Sequence, residues 1–422
     1  MEYIKKPGCR PSDEEVKVSD KVSAILERIK TEGTEGILSL NREIDSYEGP
    51  LLIEGYQLQD AISEIDPETQ EAIEESIRNV RVFHREQNRL FSDFEKTFSE
   101  GRILGIKFRP VENVGAYVPG GRYPLPSSAI MTVVPAQEAG VRRICVCSPP
   151  SFEGRIHPVV LGTLYMLGVE EVFAVGGAQA IGAMAFGISP LPRCDMLIGP
   201  GNAYVTEAKR QVFGTVGIDS LAGPSEVLII ADLTSDPQAV ALDLLAQAEH
   251  DPFARPVLFA LDRTLAEEVQ KRLLRLIPQF GTGPIMERSW ENRGAIILGT
   301  LQEAVKFAND FAPEHLQINT RSPESVLNEC HSFGAAFLGN YCSVPFGDYI
   351  LGTNHVLPTF GSARFSGGLW TGSFIKAMPY AKLTPEAASL LAIKGVSLAE
   401  TEGLLAHASS MKYRISMGGT DK

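Results

Sequence analysis

A chain of 422 residues, 44% hydrophobic and 22% charged, exceeds one ordinary core and implies two or three soluble domains. Its formal charge of -13, with no basic block, excludes a phosphate-tracking nucleic-acid binder and favours small polar substrates. Six scattered cysteines (Cys9, Cys145, Cys147, Cys194, Cys330 and Cys342) form no Cys-x-x-Cys pair, which argues against a zinc knuckle or disulfide scaffold and for a reducing cytoplasm.

Met1–Gly8 holds no apolar core of signal-peptide length. Asp13-Glu-Glu reads as a helix start, and Pro67 opens an amphipathic helix expected to run through Phe83, Phe91 and Phe94 to about Phe98. The first hundred residues, His84 included, read as scaffold without chemistry. From Val114 to Asp232 helices alternate with strand-like runs at Arg143–Ser148, Glu171–Val175, Asp195–Ile198 and Val227–Ile230, the pattern of βαβ units in a parallel sheet. Cys145 and Cys147 share one face of the first run and read as buried apolar thiols. The uncharged run Val172 to Pro192 reaches membrane length, but its glycines, Gln179 and two prolines break it into strand, turn and buried helix, so no membrane is expected. A second alternation spans Ser235 to about Leu338, with strands near Pro256–Ala260 and Gly294–Leu298. The chain is therefore expected to be α/β, with two α/β units and a ligand in the crevice between them. Glycine and proline thicken from Gly339 to Gly372, and a helical tail begins near Thr384, too short to stand alone.

Gly176-Gly-Ala-Gln-Ala-Ile-Gly182 follows a strand, and its glycines would let the backbone approach a ligand at a helix N-terminus. The spacing is not G-x-G-x-x-G, and a plain tight turn would look the same. Gly199-Pro-Gly-Asn-Ala-Tyr-Val205 repeats the arrangement, with Asn202 able to donate and accept hydrogen bonds. Two such turns at the carboxyl ends of successive strands favour a bound dinucleotide. Tyr117-Val-Pro-Gly-Gly-Arg122 adds a ring and backbone amides at the same edge, or is a simple loop. In Ala222-Gly-Pro-Ser-Glu226, Ser225 either binds substrate or caps a turn, and without a Gly-x-Ser-x-Gly elbow it is no nucleophile.

Gln247 and His250 lie three apart on an expected helix, so they share a face and could ligate one metal, unless that face is simply solvated. In Ala312-Pro-Glu-His-Leu316 a loop after Pro313 would aim Glu314 and His315 together into a cleft, as bases for an alcohol proton and for water. A surface loop is the plain alternative. Asp348, seven residues before His355 in a glycine-rich loop, offers a hard oxygen ligand beside an imidazole. Glu402 and His407 are five apart and would point to different sides of a regular helix, gripping one ligand only if the helix ends between them.

Together, Tyr117-Val-Pro-Gly-Gly, Val175-Gly-Gly-Ala-Gln-Ala-Ile-Gly182, Gly199-Pro-Gly-Asn202, Ala222-Gly-Pro-Ser-Glu226, Gln247-Ala-Glu-His250, Ala312-Pro-Glu-His-Leu316 and Gly352-Thr-Asn-His-Val-Leu-Pro358 resemble the histidinol dehydrogenase family, in its order and over most of the chain. The resemblance implies a zinc-containing, NAD-dependent enzyme that oxidises a primary alcohol through an aldehyde to a carboxylate, using two NAD. It implies zinc ligands Gln247, His250, Asp348 and His407, one zinc per subunit, the last ligand coming from the other subunit of an intertwined homodimer. Glu314 would activate water and His315 take the alcohol proton. Ser225, His355 and Glu402 would contact substrate, as would His315 and the zinc ligands, while Tyr117, Gln179 and Asn202 would line the NAD site. Two Rossmann-like domains are implied. Residues 1–112 would form a helical segment joining the first α/β domain, 113–226 the NAD-binding domain, 227–368 the continued first domain with metal and catalytic residues, and 369–422 a small helical dimerisation tail.

The chain departs from the histidine-making pattern at Thr132, at Gly121-Arg-Tyr-Pro124, at Ser366-Gly-Gly-Leu-Trp-Thr-Gly-Ser-Phe374 and after His407. Of these, Gly-Gly-Leu-Trp and Gly121-Arg-Tyr-Pro124 resemble relatives acting on other primary alcohols, including sulfopropanediol dehydrogenase. Histidinol carries cationic groups that Glu402 would complement, whereas a sulfonate calls for cations such as Arg122, Arg364 or Lys376. Two further alternatives are an inactive metabolite-binding relative and a hydrolase using zinc-bound water, though the latter leaves the glycine-rich strand ends without a purpose.

Overall fold

The structure is a computed structural model that describes residues 1–8, 15–120 and 123–417. Asp13 of the expected helix start, Cys9, and Gly121 and Arg122 lie outside the described residues.

Strands are numbered along the chain. The first five are β1 (Glu2–Lys5), β2 (Leu52–Ile53), β3 (Phe94–Ser99), β4 (Arg102–Pro110) and β5 (Asn113–Tyr117). Then come β6 (Arg143–Ser148), β7 (Glu171–Ala174), β8 (Met196–Ile198), β9 (Gly217–Ile218) and β10 (Glu226–Ala231). The last are β11 (Arg255–Ala260), β12 (Ala295–Leu298), β13 (His315–Asn319), β14 (Ala335–Leu338) and β15 (Ile375–Leu383). The chain divides into two compact units, Met1–Glu86 with Val111–Ser373, and Gln87–Pro110 with Phe374–Lys422.

The first unit contains two six-stranded sheets, ordered β2-β7-β6-β5-β8-β9 and β1-β12-β11-β10-β13-β14. Setting aside the antiparallel edge strands β2 and β1, both follow the same parallel winding. The earliest strand lies in the middle, the next two extend to one side, and the last two to the other. That order puts a topological switch point between β5 and β8 in the first sheet and between β10 and β13 in the second.

Parallel strands covered on both faces read as unbroken apolar runs, and β10 is buried along its whole length. Val227, Ile229 and Ala231 pack toward helices Pro237–Ala248 and Arg263–Leu276, while Leu228 and Ile230 pack toward helix Leu301–Phe311. Helix starts are fixed by side chains: Asp236 accepts from the Gln238 N–H, and Thr300 and Glu303 close a capping box.

Helix Pro67–Asn88 stops before the expected end near Phe98, because Phe94–Ser99 is strand β3. A tertiary partner overrides the helical pattern there: β3 pairs with β4, which pairs with β15 over nine residues from Ile375↔Pro110 to Leu383↔Arg102. The tail expected to be helical thus begins with a strand. With helices Pro385–Thr401 and Leu405–Met417 it completes the second unit. No helix among the described residues is long and apolar enough to cross a membrane.

Candidate active site

The expected site residues of the first unit gather at two sheet edges. Tyr117 ends β5, Gly176 and Gly177 follow β7, and Gly199 to Asn202 follow β8, all at the carboxyl edge of the first sheet. Ser225 and Glu226 open β10 and His315 opens β13, at the amino edge of the second sheet. Ligands of open α/β sheets ordinarily sit at carboxyl ends. Here the expected site residues follow that rule in the first sheet alone. The link Asp219–Ser225, which joins β9 of the first sheet to β10 of the second, is short. It is also tied down: Thr206 Oγ1 donates to Ala222 O at 2.8 Å, and Gly223 N donates to Thr359 Oγ1 at 2.7 Å.

The glycine turns are built differently from a phosphate cradle. Gly177 N donates to the Tyr117 hydroxyl at 3.1 Å, Gly199 N donates to Asp219 Oδ2 at 2.7 Å, and Asn202 Oδ1 accepts from Tyr204 N and Val205 N at 3.0 and 3.2 Å. Their amides are engaged by the protein itself. Gly199, at φ 112°, could bear no Cβ, which would stand 2.2 Å from Tyr117 O. Burial pushes the Tyr117 phenol up to about 12, so it stays a neutral prop. Gln179, 1% exposed, donates to Asp45 Oδ2 at 3.1 Å. Burial pushes the Asp45 carboxyl up, the Gln179 bond opposing it.

Beside these turns lies a mostly apolar cavity of about 670 Å³, lined by Gln179, Asn202 and Tyr204 together with Lys21, Ile25 and Ile44. The N-terminal helices, expected to be scaffold alone, therefore wall a ligand-sized space. Another cavity of about 550 Å³ opens by Asn113 and Asp195 at the opposite edge of the first sheet, away from every expected site residue.

At the second edge Glu314 lies in the short connection after Pro313, while His315 is already the first residue of β13. Ala312 ends helix Leu301–Phe311 in the left-handed region at φ 49°, and Glu314 and His315 are buried, each about 5% exposed, so the connection is no surface loop. Glu314 Oε2 accepts from Glu226 N at 2.8 Å, and His315 Nδ1 lies 3.0 Å from Glu226 O. A carbonyl only accepts, so Nδ1 carries the ring proton and Nε2 keeps its lone pair. Nε2 is buried without a hydrogen-bond partner, 3.8 Å from Asp348 Oδ1. Burial first, then the neighbouring imidazoles of His250 and His355, brings the His315 pKa down to about 3, opposed by the Glu226 bond. Burial pushes the Glu314 carboxyl well above its ordinary range, and the nearby Glu226 and Asp348 carboxyls add to it, the Glu226 N–H opposing.

Gln247, 3% exposed, lies in the last turn of helix Pro237–Ala248. His250 falls beyond that helix rather than on it, but His250 N reaches Gln247 O at 3.4 Å, so a terminal turn preserves the three-residue relation. His250 is open to solvent on one side, yet crowding on the others lowers its pKa by desolvation. Asp348 sits on a short helix, Val344–Tyr349, and burial alone raises its carboxyl to about 7. His355 Nδ1 lies 3.2 Å from Asp348 O, and burial brings this imidazole down to about 4.

Among the described residues no three His, Cys, Asp or Glu side chains form a metal cluster. The expected ligand set brings only two of those types from the first unit, His250 and Asp348. Glu402 and His407 belong to the second unit, both exposed. The helix does end between them: Glu402 is its C-cap, Gly403 turns at φ 75°, and His407 rides the next helix.

Sequence reasoning missed Glu226, which contacts both Glu314 and His315. Its signal was a carboxylate opening an otherwise apolar, fully buried strand. Thr132 bonds back to Ser128 O at 2.6 Å within its own buried helix. Arg364 is engaged by the carbonyls of Gly361 and Asp310, and Lys376 is exposed in the second unit.

A family model described as histidinol dehydrogenase matches residues 9–415. The chain is 42% identical over 395 residues to a histidinol dehydrogenase of Methanocaldococcus jannaschii, covering 93% of this chain and 92% of that one. It is 38% identical over 422 residues to a histidinol dehydrogenase homolog of Shouchella clausii, covering 99% of both. A crystal structure of histidinol dehydrogenase from Elizabethkingia anophelis superposes with a TM-score of 0.91 at 34% identity, over 98% of this chain and 95% of that one.

Proposed function

Because this chain belongs to the histidinol dehydrogenase family of NAD-dependent oxidoreductases, we propose that it oxidises L-histidinol through the aldehyde to L-histidine, with zinc and two NAD per turnover. The observation that carries this reading is the His315 tautomer: an imidazole whose Nδ1 is tied to Glu226 O and whose free Nε2 faces Asp348.

His315 Nε2 takes the hydroxyl proton as the carbinol carbon loses a hydride, leaving an aldehyde. Glu314 then takes a proton from water as its oxygen attacks the aldehyde carbon. His315 passes its first proton to solvent, a second hydride leaves that carbon, His315 takes the remaining hydroxyl proton, and the carboxylate results. Two hydrides and the oxygen of one water balance the sequence. NAD, when bound, supplies the hydride acceptor, against Tyr117, Gln179 and Asn202.

Gln247, His250 and Asp348 would hold zinc with His407 of the partner subunit, a set of amide oxygen, imidazole and carboxylate that suits this borderline cation. Asp348 supports the fit, since its hard carboxylate oxygen stands among imidazoles, 3.8 Å from His315 Nε2 and on the residue whose carbonyl meets His355 Nδ1. Zinc, when bound, supplies Lewis-acid polarisation and orientation of the substrate. Ser225, His355 and Glu402 complete the substrate contacts. A homodimer is supported by Leu390, Leu398 and Leu405 on the tail helices, which are 71%, 68% and 66% exposed.

Dihydroxypropanesulfonate, the alternative substrate, is not favoured by the relatives, and Arg364, one of the cations it would call for, is already held by backbone carbonyls. NADH absorbance followed with each alcohol in parallel decides between them, and metal analysis accompanies it. A rate with L-histidinol and one zinc per subunit is expected. A rate with the sulfonate alone would move the substrate assignment, and no rate with either plus zinc far below stoichiometric would leave a metabolite-binding relative.

A further inference from the structure

Glu226 is 0% exposed, and no role in the reaction has been given to its side chain. Its backbone nevertheless addresses both proposed bases, the N–H holding Glu314 and the carbonyl holding His315. Glu226 is also where the β10–β13 ladder has not yet begun, since the first paired residues are Val227 and His315. On the β13 side no ladder pairing holds that residue, and on the other side it pairs with Arg255 of β11. The side chain adds a second tie to the same neighbour: Glu226 Oε2 accepts from Arg255 Nη1 at 3.0 Å. Burial pushes the Glu226 carboxyl up, and the Arg255 charge draws it back.

Arg255 opens β11 directly beside Glu226 in the ladder. Its backbone N–H donates to Ser225 O at 2.9 Å, and its guanidinium lies 4.5 Å from the centre of the Phe311 ring. Phe311 is the last residue of the helix that delivers Glu314. One arginine thus touches the residue before β10, the carboxylate that opens it, and the element that leads into β13.

We propose that Glu226 and Arg255 form a positioning pair that sets the His315 tautomer and the orientation of Glu314. The pair acts through the Glu226 peptide and touches no substrate. This rests on the dehydrogenase reading, in which His315 and Glu314 are the proton acceptors. Misplaced by even an ångström, such bases slow proton removal while the binding of alcohol and coenzyme, held by other residues, is preserved.

The test is Arg255→Met, Arg255→Lys and Phe311→Leu in the full-length, metal-loaded enzyme, with kcat, KM and the isotope effect from carbinol-deuterated alcohol. Arg255→Met is expected to lower kcat about tenfold or more, with both KM values moving less than about threefold. The isotope effect should rise as hydride and proton removal become slower than product release. Arg255→Lys keeps the charge and should recover most of the loss. Phe311→Leu removes the ring beneath Arg255, at the cost of its stack on Phe307, and should shift kcat and isotope effect in the same direction by a smaller factor, which serves if Arg255→Met does not fold. Wild-type enzyme inactive on every alcohol tried would defeat the dehydrogenase reading. Wild type active, with folded variants unchanged in kcat and isotope effect or altered only in KM, would overturn the positioning pair.

Discussion

His315 and His250 are both imidazoles of lowered basicity in one site, and their surroundings give them different work. His315 Nδ1 is tied to a carbonyl and its Nε2 is buried and free, whereas His250 stands at a helix end with one side open. His315→Asn keeps a donor for Glu226 O but has no basic lone pair. Alcohol oxidation should fall by about a hundredfold or more, the size of a lost general base, while zinc content stays near that of wild type. His250→Asn should lose the metal. Parallel NADH assays and metal analyses check this, and equal small effects from both would contradict the roles. For Glu314→Gln, the first oxidation needs no activated water and the second does. A single turnover should release one NADH per site in place of two, with free aldehyde detectable by a carbonyl reagent.

At the scale of elements, helix Ala203–Val212 presents Asn202 as its cap and is anchored on its other side by Glu207. That carboxylate pairs with Arg210 at 2.6 Å, accepts from Gln211 at 2.8 Å and meets Ser19 of helix Glu15–Glu32. The Arg210 bond, opposed by burial, brings Glu207 from 4.5 down to about 2. A carboxyl lowered in the folded state contributes stability that is fully present above its unfolded pKa and is lost as pH falls from there through the folded value. Glu207→Gln should therefore cost about 1–2 kcal/mol at pH 7, discounted for the exposed Arg210. The deficit should shrink between pH 4.5 and 2. Urea midpoints at pH 7, 5 and 3.5 read this, and a gap that widens toward acid would refute it. The turn and the helix after it were legible in the sequence, because a strand followed by Gly-Pro-Gly-Asn is local chemistry, whereas Asn202 reads there as a ligand contact and its capping of Tyr204 and Val205 emerges only in the structure. Phe94–Ser99 was not legible, since the strand that captures it lies far along the chain.

At the scale of the whole molecule, the second unit is assembled from two stretches, Gln87–Pro110 and Phe374–Lys422, separated by Val111–Ser373, and it carries Glu402 and His407. If His407 of the partner subunit completes each metal site, then His315→Asn and His407→Asn place their defects in the same site of a mixed dimer and leave the other site whole. Random mixing of the two inactive proteins should restore about a quarter of wild-type activity, half of the dimers being mixed and half of their sites intact. Rate assays before and after exchange measure it. No recovery despite proven exchange would place both residues in one chain's site.

The sequence by itself determined the alternation of strands and helices, the glycine turns at the ends of β7 and β8, and the identities of the polar residues in the catalytic stretch, because each depends on neighbours within a turn or two of chain. Only the tertiary structure decided that His315 opens a buried strand with Glu314 just before it, that both stand at the amino edge of the second sheet, and that Glu226 bonds to the two of them through its backbone. Those facts depend on the register of β10 against β11 and β13, strands whose pairing is fixed by packing on both faces of the sheet and leaves no mark in local spacing.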